Sequence, residues 1–137
     1  MQRAVLDRSG RFRMETVPLP EPQPGELLFR LLCAGLGPSD LDLTLHVGRT
    51  PPAMPVAEIA ALGDGVSGWN PLDRALLLPP LLAAGGAPLE GLAEFLRVPA
   101  EAGPGGGVIK LPMEIAPDDA TLLPAAAMAA RVLHETR

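Results

Sequence analysis

The sequence predicts a small, mainly β domain that ends in a helical segment. Three observations point there. The 137 residues include 17 prolines and 15 glycines, breakers too frequent for long helices and suited to short strands joined by turns. The apolar residues fall into short runs between those breakers. Finally, the stretch from Ala116 to Arg137 is helical in composition.

The elements follow in order. "RAVLD" (3–7) reads as an opening strand, "SG" (9–10) as a turn, and "FRMETVPLP" (12–20) as the strand that closes a hairpin. Pro18, Pro20, Pro22 and Pro24 make a stiff extended connector ended by Gly25. "ELLFRLLCAGL" (26–36) is apolar with one charge, Arg30, and periodicity alone allows helix or buried strand. The Pro-rich approach and the stop at Gly35 and Gly37 favour strand. "PSDLDLTLHVG" (38–48) carries a helix-start signature, with Pro38 near the first turn and Ser39 or Asp40 available as a cap. Strands are expected at 56–62, 74–80, 92–101 and 108–112, with loops at 81–91 and 102–107. Asp118 and Asp119 suit a helix N-terminus, and Pro124 is expected to break or restart that helix.

Composition excludes several function classes. Three Phe, one Trp and no Tyr leave the core to aliphatic side chains. The formal charge of -5 repels phosphate backbones, so nucleic acid is not an expected partner. No window reaches the roughly 18 apolar residues of a membrane span. The opening "MQRAVLDRSG" lacks the apolar core of a signal peptide, so the expected compartment is the cytosol. A single cysteine, Cys33, excludes an internal disulfide and a Cys-based zinc cage. Its place within "LLC" reads as a small core residue.

One motif invites an enzymatic reading. "GDGVSG" (63–68) matches G-x-G-x-x-G, the dinucleotide fingerprint. A working fingerprint closes a strand and opens a helix whose N-terminus faces the pyrophosphate. Here "WNPLDRALLL" follows, with a turn at Asn70–Pro71 and then a strand. The acid at the customary distance of about 20 residues is Glu90, in a Gly/Pro loop rather than at a strand end. A turn needing positive φ at Gly63 or Gly65 is the better reading. "GPGGG" (103–107) lacks the Lys-Ser/Thr of a P-loop and reads as a hairpin loop.

The order of these segments resembles the N-terminal, GroES-like domain of the medium-chain dehydrogenase/reductase superfamily. The resemblance is carried by "RAVLDRSGRFRMETVPLPEPQPGELLFRL", "AGLGPSDL" (34–41), "LGDGVSGWNPLDRALLLP" (62–79), "AEFLRVPAE", "VIKLP" and "IAPDDATLLP". It implies a GroES-like, partly open barrel over residues 1–116. Residues 117–137 would lead into a nucleotide-binding domain beyond Arg137. The zinc alcohol dehydrogenases of this superfamily place a cysteine two residues before the Ser/Thr of their "SD" element, followed by a "GHE" histidine. Gly37 stands at that cysteine position and no "GHE" occurs. The four-cysteine lobe is replaced by the cysteine-free "LLAAGGAPLEG" (81–91). The resemblance is nearer to the zinc-free quinone oxidoreductase and enoyl reductase branch, whose A-G-L-N-P-S-D element appears here as "AGLGPSD".

Two departures bear on the site. The branch's asparagine is Gly37, and Thr50 stands where enoyl reductases often carry a tyrosine. The segment between Pro55 and Gly63 is also shorter than the family pattern. The candidate cleft residues are therefore Gly37, Ser39, Asp40, His46 and Thr50, with no confident catalytic residue. Ser39 and Asp40 also suit a helix cap, and His46 also suits a packed or rim position. His134, Glu114, Asp118 and Asp119 read as solvated. No cofactor and no metal are expected to bind this chain alone. The family implies NAD(P)H only when a cofactor domain is supplied. The expected activity is that of the substrate-side domain of a zinc-independent oxidoreductase, inactive in isolation. Expected partners are a separate nucleotide-binding chain or a second copy across the uncovered cleft. The alternative is a non-catalytic binding or protein-interaction module on the same fold.

Overall fold

A computed structural model describes residues 1–37, 40, 48–50, 53–78, 90–100 and 107–135. Its strands are β1 (Gln2–Leu6), β2 (Phe12–Thr16), β3 (Glu26–Gly35), β4 (Met54–Leu62), β5 (Arg74–Leu77), β6 (Phe95–Pro99) and β7 (Val108–Leu111). Two helices follow, α1 (Pro117–Ala120) and α2 (Leu123–Glu135). The expected mainly β architecture with a C-terminal helical segment is what is found.

β1 and β2 form an antiparallel hairpin. Its turn is held by one side chain: Asp7 Oδ1 accepts from the Ser9 amide (2.7 Å), the Arg11 amide (3.0 Å) and the Ser9 hydroxyl (2.6 Å). Those bonds draw the Asp7 carboxyl below its ordinary pKa, the Ser9 bond contributing most. β2 stops at Thr16, short of the expected Pro20, because the prolines that follow have no N–H to give a ladder.

The other five strands form one antiparallel sheet in the order β6-β3-β4-β5-β7. β3 is a strand throughout and carries bulges between Leu28 and Phe29 and between Leu31 and Cys33. The expected strand at 92–101 is divided between two partners. Leu92 and Glu94 exchange backbone bonds with β1 (Ala4 N–H to Leu92 O, 3.0 Å; Glu94 N–H to Gln2 O, 2.9 Å), and only residues 95–99 join β3. That switch stitches the hairpin to the main sheet and curves the wall into a partly open barrel.

One sheet face builds the interior. Leu27, Phe29, Ala57, Ile59, Ala75, Leu77, Leu96, Val98 and Val108 are buried together. Trp69 closes one end, its ring edge-on to Phe29 at 6.0 Å between centroids. The Lys110 ammonium lies 5.3 Å from the Trp69 centroid and pairs with Asp73 at 2.5 Å. On the opposite face Val56, Leu76 and Leu111 pack with Ala120 of α1, and half-buried Cys33 joins this cluster. Thr121 lies against Gly35, where an added Cβ would sit 3.2 Å from the Thr121 Cβ. Pro124 restarts the helix as α2, at a position where its missing N–H costs nothing.

The turn at 63–68 is a connection between β4 and β5, with Gly65 at φ 79° and Gly68 at φ 80°. Gly63 is required for a different reason. A Cβ there would stand 2.0 Å from the Gln23 carbonyl oxygen. Glycine serves space at position 63 and conformation at position 65.

Candidate functional site

The candidate residues gather where β3 ends and β4 begins. The last pair in that ladder is Gly35 opposite Met54. Beyond it the chain turns at Gly37, which is half-buried. Asp40 follows with only 7 % of its surface exposed. Its amide donates to the Gly37 carbonyl at 3.0 Å. Its carboxylate accepts from two backbone amides, Gly37 N–H at Oδ2 (2.7 Å) and Ala53 N–H at Oδ1 (3.1 Å). Reaching back to an amide three residues earlier is how an acid secures a helix start. The helix expected at 38–46 lies, apart from Asp40, outside the described residues, as do Ser39 and His46.

Thr50 enters from the other side. The two residues before it are pinned to the end of β1, since Gly48 N–H donates to Leu6 O (2.8 Å) and Leu6 N–H to Arg49 O (3.0 Å). Gly48 sits at φ 74°, in the left-handed region glycine favours. Thr50 is 4 % exposed, and its hydroxyl finds no hydrogen-bond partner. A buried hydroxyl in that state is free to bond a polar atom brought to it.

The arrangement sorts the candidates by chemistry. Gly37 contributes an amide, Asp40 a carboxylate with a backbone donor on each oxygen, and Thr50 an uncommitted hydroxyl. Asp40 therefore serves the loop and is not poised as a base. Ala53 was not legible as part of the site. It is a non-glycine residue at φ 49°, 1 % exposed, and the second anchor of Asp40. Nothing in "RTPPAMP" signals that backbone.

Neither group implied by the resemblance fits these residues. For zinc, Gly37 supplies no thiolate. Cys33 lies within the Val56–Leu76 cluster, and burial, aided by the Asp118 charge, pushes its thiol pKa up, away from the ligating thiolate. Among the described residues no three His, Cys, Asp or Glu side chains group as a metal site. For a dinucleotide, the glycine turn at 63–68 runs into β5 and opens no helix that could face a pyrophosphate. A cavity of about 300 Å³ lies elsewhere, between Arg30, Leu31, Leu32, Glu94 and Phe95.

No protein-family model matches the chain, and no curated protein matches it in sequence. Solved structures do match. A quinone oxidoreductase from Pseudomonas syringae superposes with TM-score 0.64 at 20% identity, over 89% of this chain and 37% of its own. The 2R,3R-butanediol dehydrogenase of Bacillus subtilis gives TM-score 0.62 at 20% identity, over 88% and 43%. An alcohol dehydrogenase from a Thermus species gives 0.63 at 25% identity, over 89% and 43%. The chain thus spans about two fifths of the length of the structures it matches. The described residues have the fold of the N-terminal, GroES-like domain of the medium-chain dehydrogenase/reductase superfamily.

Proposed function

We propose that this chain is the substrate-side domain of a zinc-independent, NAD(P)H-dependent oxidoreductase of the quinone or enoyl reductase type. It transfers no hydride until a nucleotide-binding domain is supplied, either on a separate chain or in continuation of this one. The work belongs to the cytosol. The observation that carries the reading is the junction of β3 and β4. There a fold shared with NAD(P)-dependent oxidoreductases keeps a shaped cleft wall, with glycine at position 37 where the metal-dependent branch has cysteine.

The residues present support a binding role for this wall. Thr50 offers a buried hydroxyl able to donate to a substrate carbonyl oxygen. Gly37 leaves room beside it. Asp40 holds both backbone segments. No step is assigned to the nicotinamide, because the described residues offer it no seat.

The test is reduction of an enone by NADPH, followed at 340 nm. The purified chain is expected to give no turnover, and adding a nucleotide-binding domain is expected to bring turnover that survives a zinc chelator. Full turnover by the chain alone, or loss of the reconstituted activity on chelation, would overturn the proposal.

A further inference from the structure

We infer that Asp40 is the positioning residue of the cleft: its carboxylate locks Gly37 to Ala53 and thereby fixes where Thr50 presents its hydroxyl. The inference rests on reading residues 37–50 as the cleft wall, but its test needs no substrate.

The chemistry of the junction calls for such a group. Past the Gly35–Met54 pair, the β3–β4 ladder has run out. Gly37 and Ala53 both turn an N–H toward the gap. Two donors cannot bond each other, so a group with two acceptor oxygens is needed to join them. Asp40 supplies it, at 2.7 and 3.1 Å, in a site from which water is largely excluded. Charge assistance strengthens both bonds.

Ala53 makes the lock directional. Its φ of 49° is a conformation that alanine resists, and burial of its methyl leaves it little freedom to move. The bond from its amide to Asp40 holds it there. Thr50 lies three residues upstream, and its other flank is pinned through Arg49 to Leu6. Both ends of the 49–53 stretch are therefore tied, one to β1 and one to Asp40. Release at Asp40 leaves Thr50 tethered at one end only.

Amide hydrogen exchange by NMR on the intact chain tests this with Asp40→Asn, Ala53→Gly and the double variant. Asparagine keeps one acceptor oxygen and turns an NH2 toward the second donor, so one bond survives and one is lost. The Gly37 or the Ala53 amide is expected to exchange about tenfold faster or more, while Phe29 and Ile59 follow only the change in overall stability. The Thr50 side chain is expected to pass from one χ1 rotamer to an averaged set. In the Ala53→Gly background the Asp40→Asn effect is expected to shrink, because glycine adopts the left-handed conformation without being held. Unchanged exchange at both amides, uniform acceleration through the core, a Thr50 rotamer that stays fixed, or strictly additive variants would each overturn the inference. Failure of the reductase assay leaves these readouts untouched, so the two proposals fall separately.

Discussion

The two junctions that flank β4 both carry glycine, and they are held by opposite means. At the far end of β4, backbone bonds do the holding. Gly63 N–H donates to Glu26 O (2.8 Å), Gly25 N–H to Asp64 O (2.9 Å) and Val66 N–H to Gly63 O (3.3 Å). At the near end, one carboxylate bridges two amides that have no carbonyl to meet. The first junction needs only residues small enough for close approach. The second depends on a particular side chain, and a site whose shape hangs on one side chain is readily altered by changing it. That contrast explains why the motif resembling a cofactor fingerprint is architectural, whereas the less conspicuous "GPSD" shapes the candidate site.

Substitution at Gly63 should break the first junction most severely. Gly63→Ala places a methyl 2.0 Å from a backbone oxygen. We expect a loss above about 3 kcal/mol, read as a large fall in Tm or failure to fold. A variant as stable as the parent would contradict the close approach. Gly65→Ala sharpens the point within the same turn. Open space surrounds that position, and only φ 79° opposes a side chain. The expected cost is about 1–2 kcal/mol by denaturant titration.

Thr50→Val probes the second junction in the reverse direction. If the hydroxyl is buried without a partner, its removal should leave stability unchanged or raise it by about 1 kcal/mol. A clear loss of stability would mean that the hydroxyl is already bonded within the protein.

The smallest effect expected is at the Asp73–Lys110 pair beside the first junction. Lys110 holds the Asp73 carboxyl below its ordinary 3.8, chiefly through their hydrogen bond. A depressed carboxyl pKa contributes stability above the unfolded value, and the contribution is lost as pH falls through the folded value. The pair is partly solvated, so the amount is about 0.5 kcal/mol and salt-sensitive. Asp73→Asn should therefore lower stability slightly at neutral pH and converge with the parent in acid. An equal gap at both pH values would remove the ion pair as its source.

Much of the fold was legible because its signals are local. Alternation and breakers located seven strands to within a few residues, and Pro124 marked the restart of the helix. Gly65 was legible as a positive-φ turn. Gly63 was assigned the same cause and has another, since its neighbour Gln23 lies forty residues earlier, near enough only in the folded chain. Likewise, the strand expected at 92–101 is shorter because its first residues pair with β1, a partner that no local pattern names. Of the site, Gly37, Asp40 and Thr50 were legible through the resemblance, but the role of Asp40 was not. Composition and spacing suggested a helix cap there, while Ala53 gave no signal.

Residue order alone settles what depends on a few neighbouring dihedrals: where strands end, where the chain turns, which faces are apolar, and that position 37 can offer no metal ligand. The tertiary structure decides which distant groups meet. It sets Gln23 against Gly63, divides residues 92–99 between β1 and β3, and brings the Ala53 amide to Asp40 across 13 residues. The physical reason is range. Steric preferences and breakers act over one or two peptide units, whereas a hydrogen bond between remote segments forms only after the sheet has paid the entropy of bringing them together.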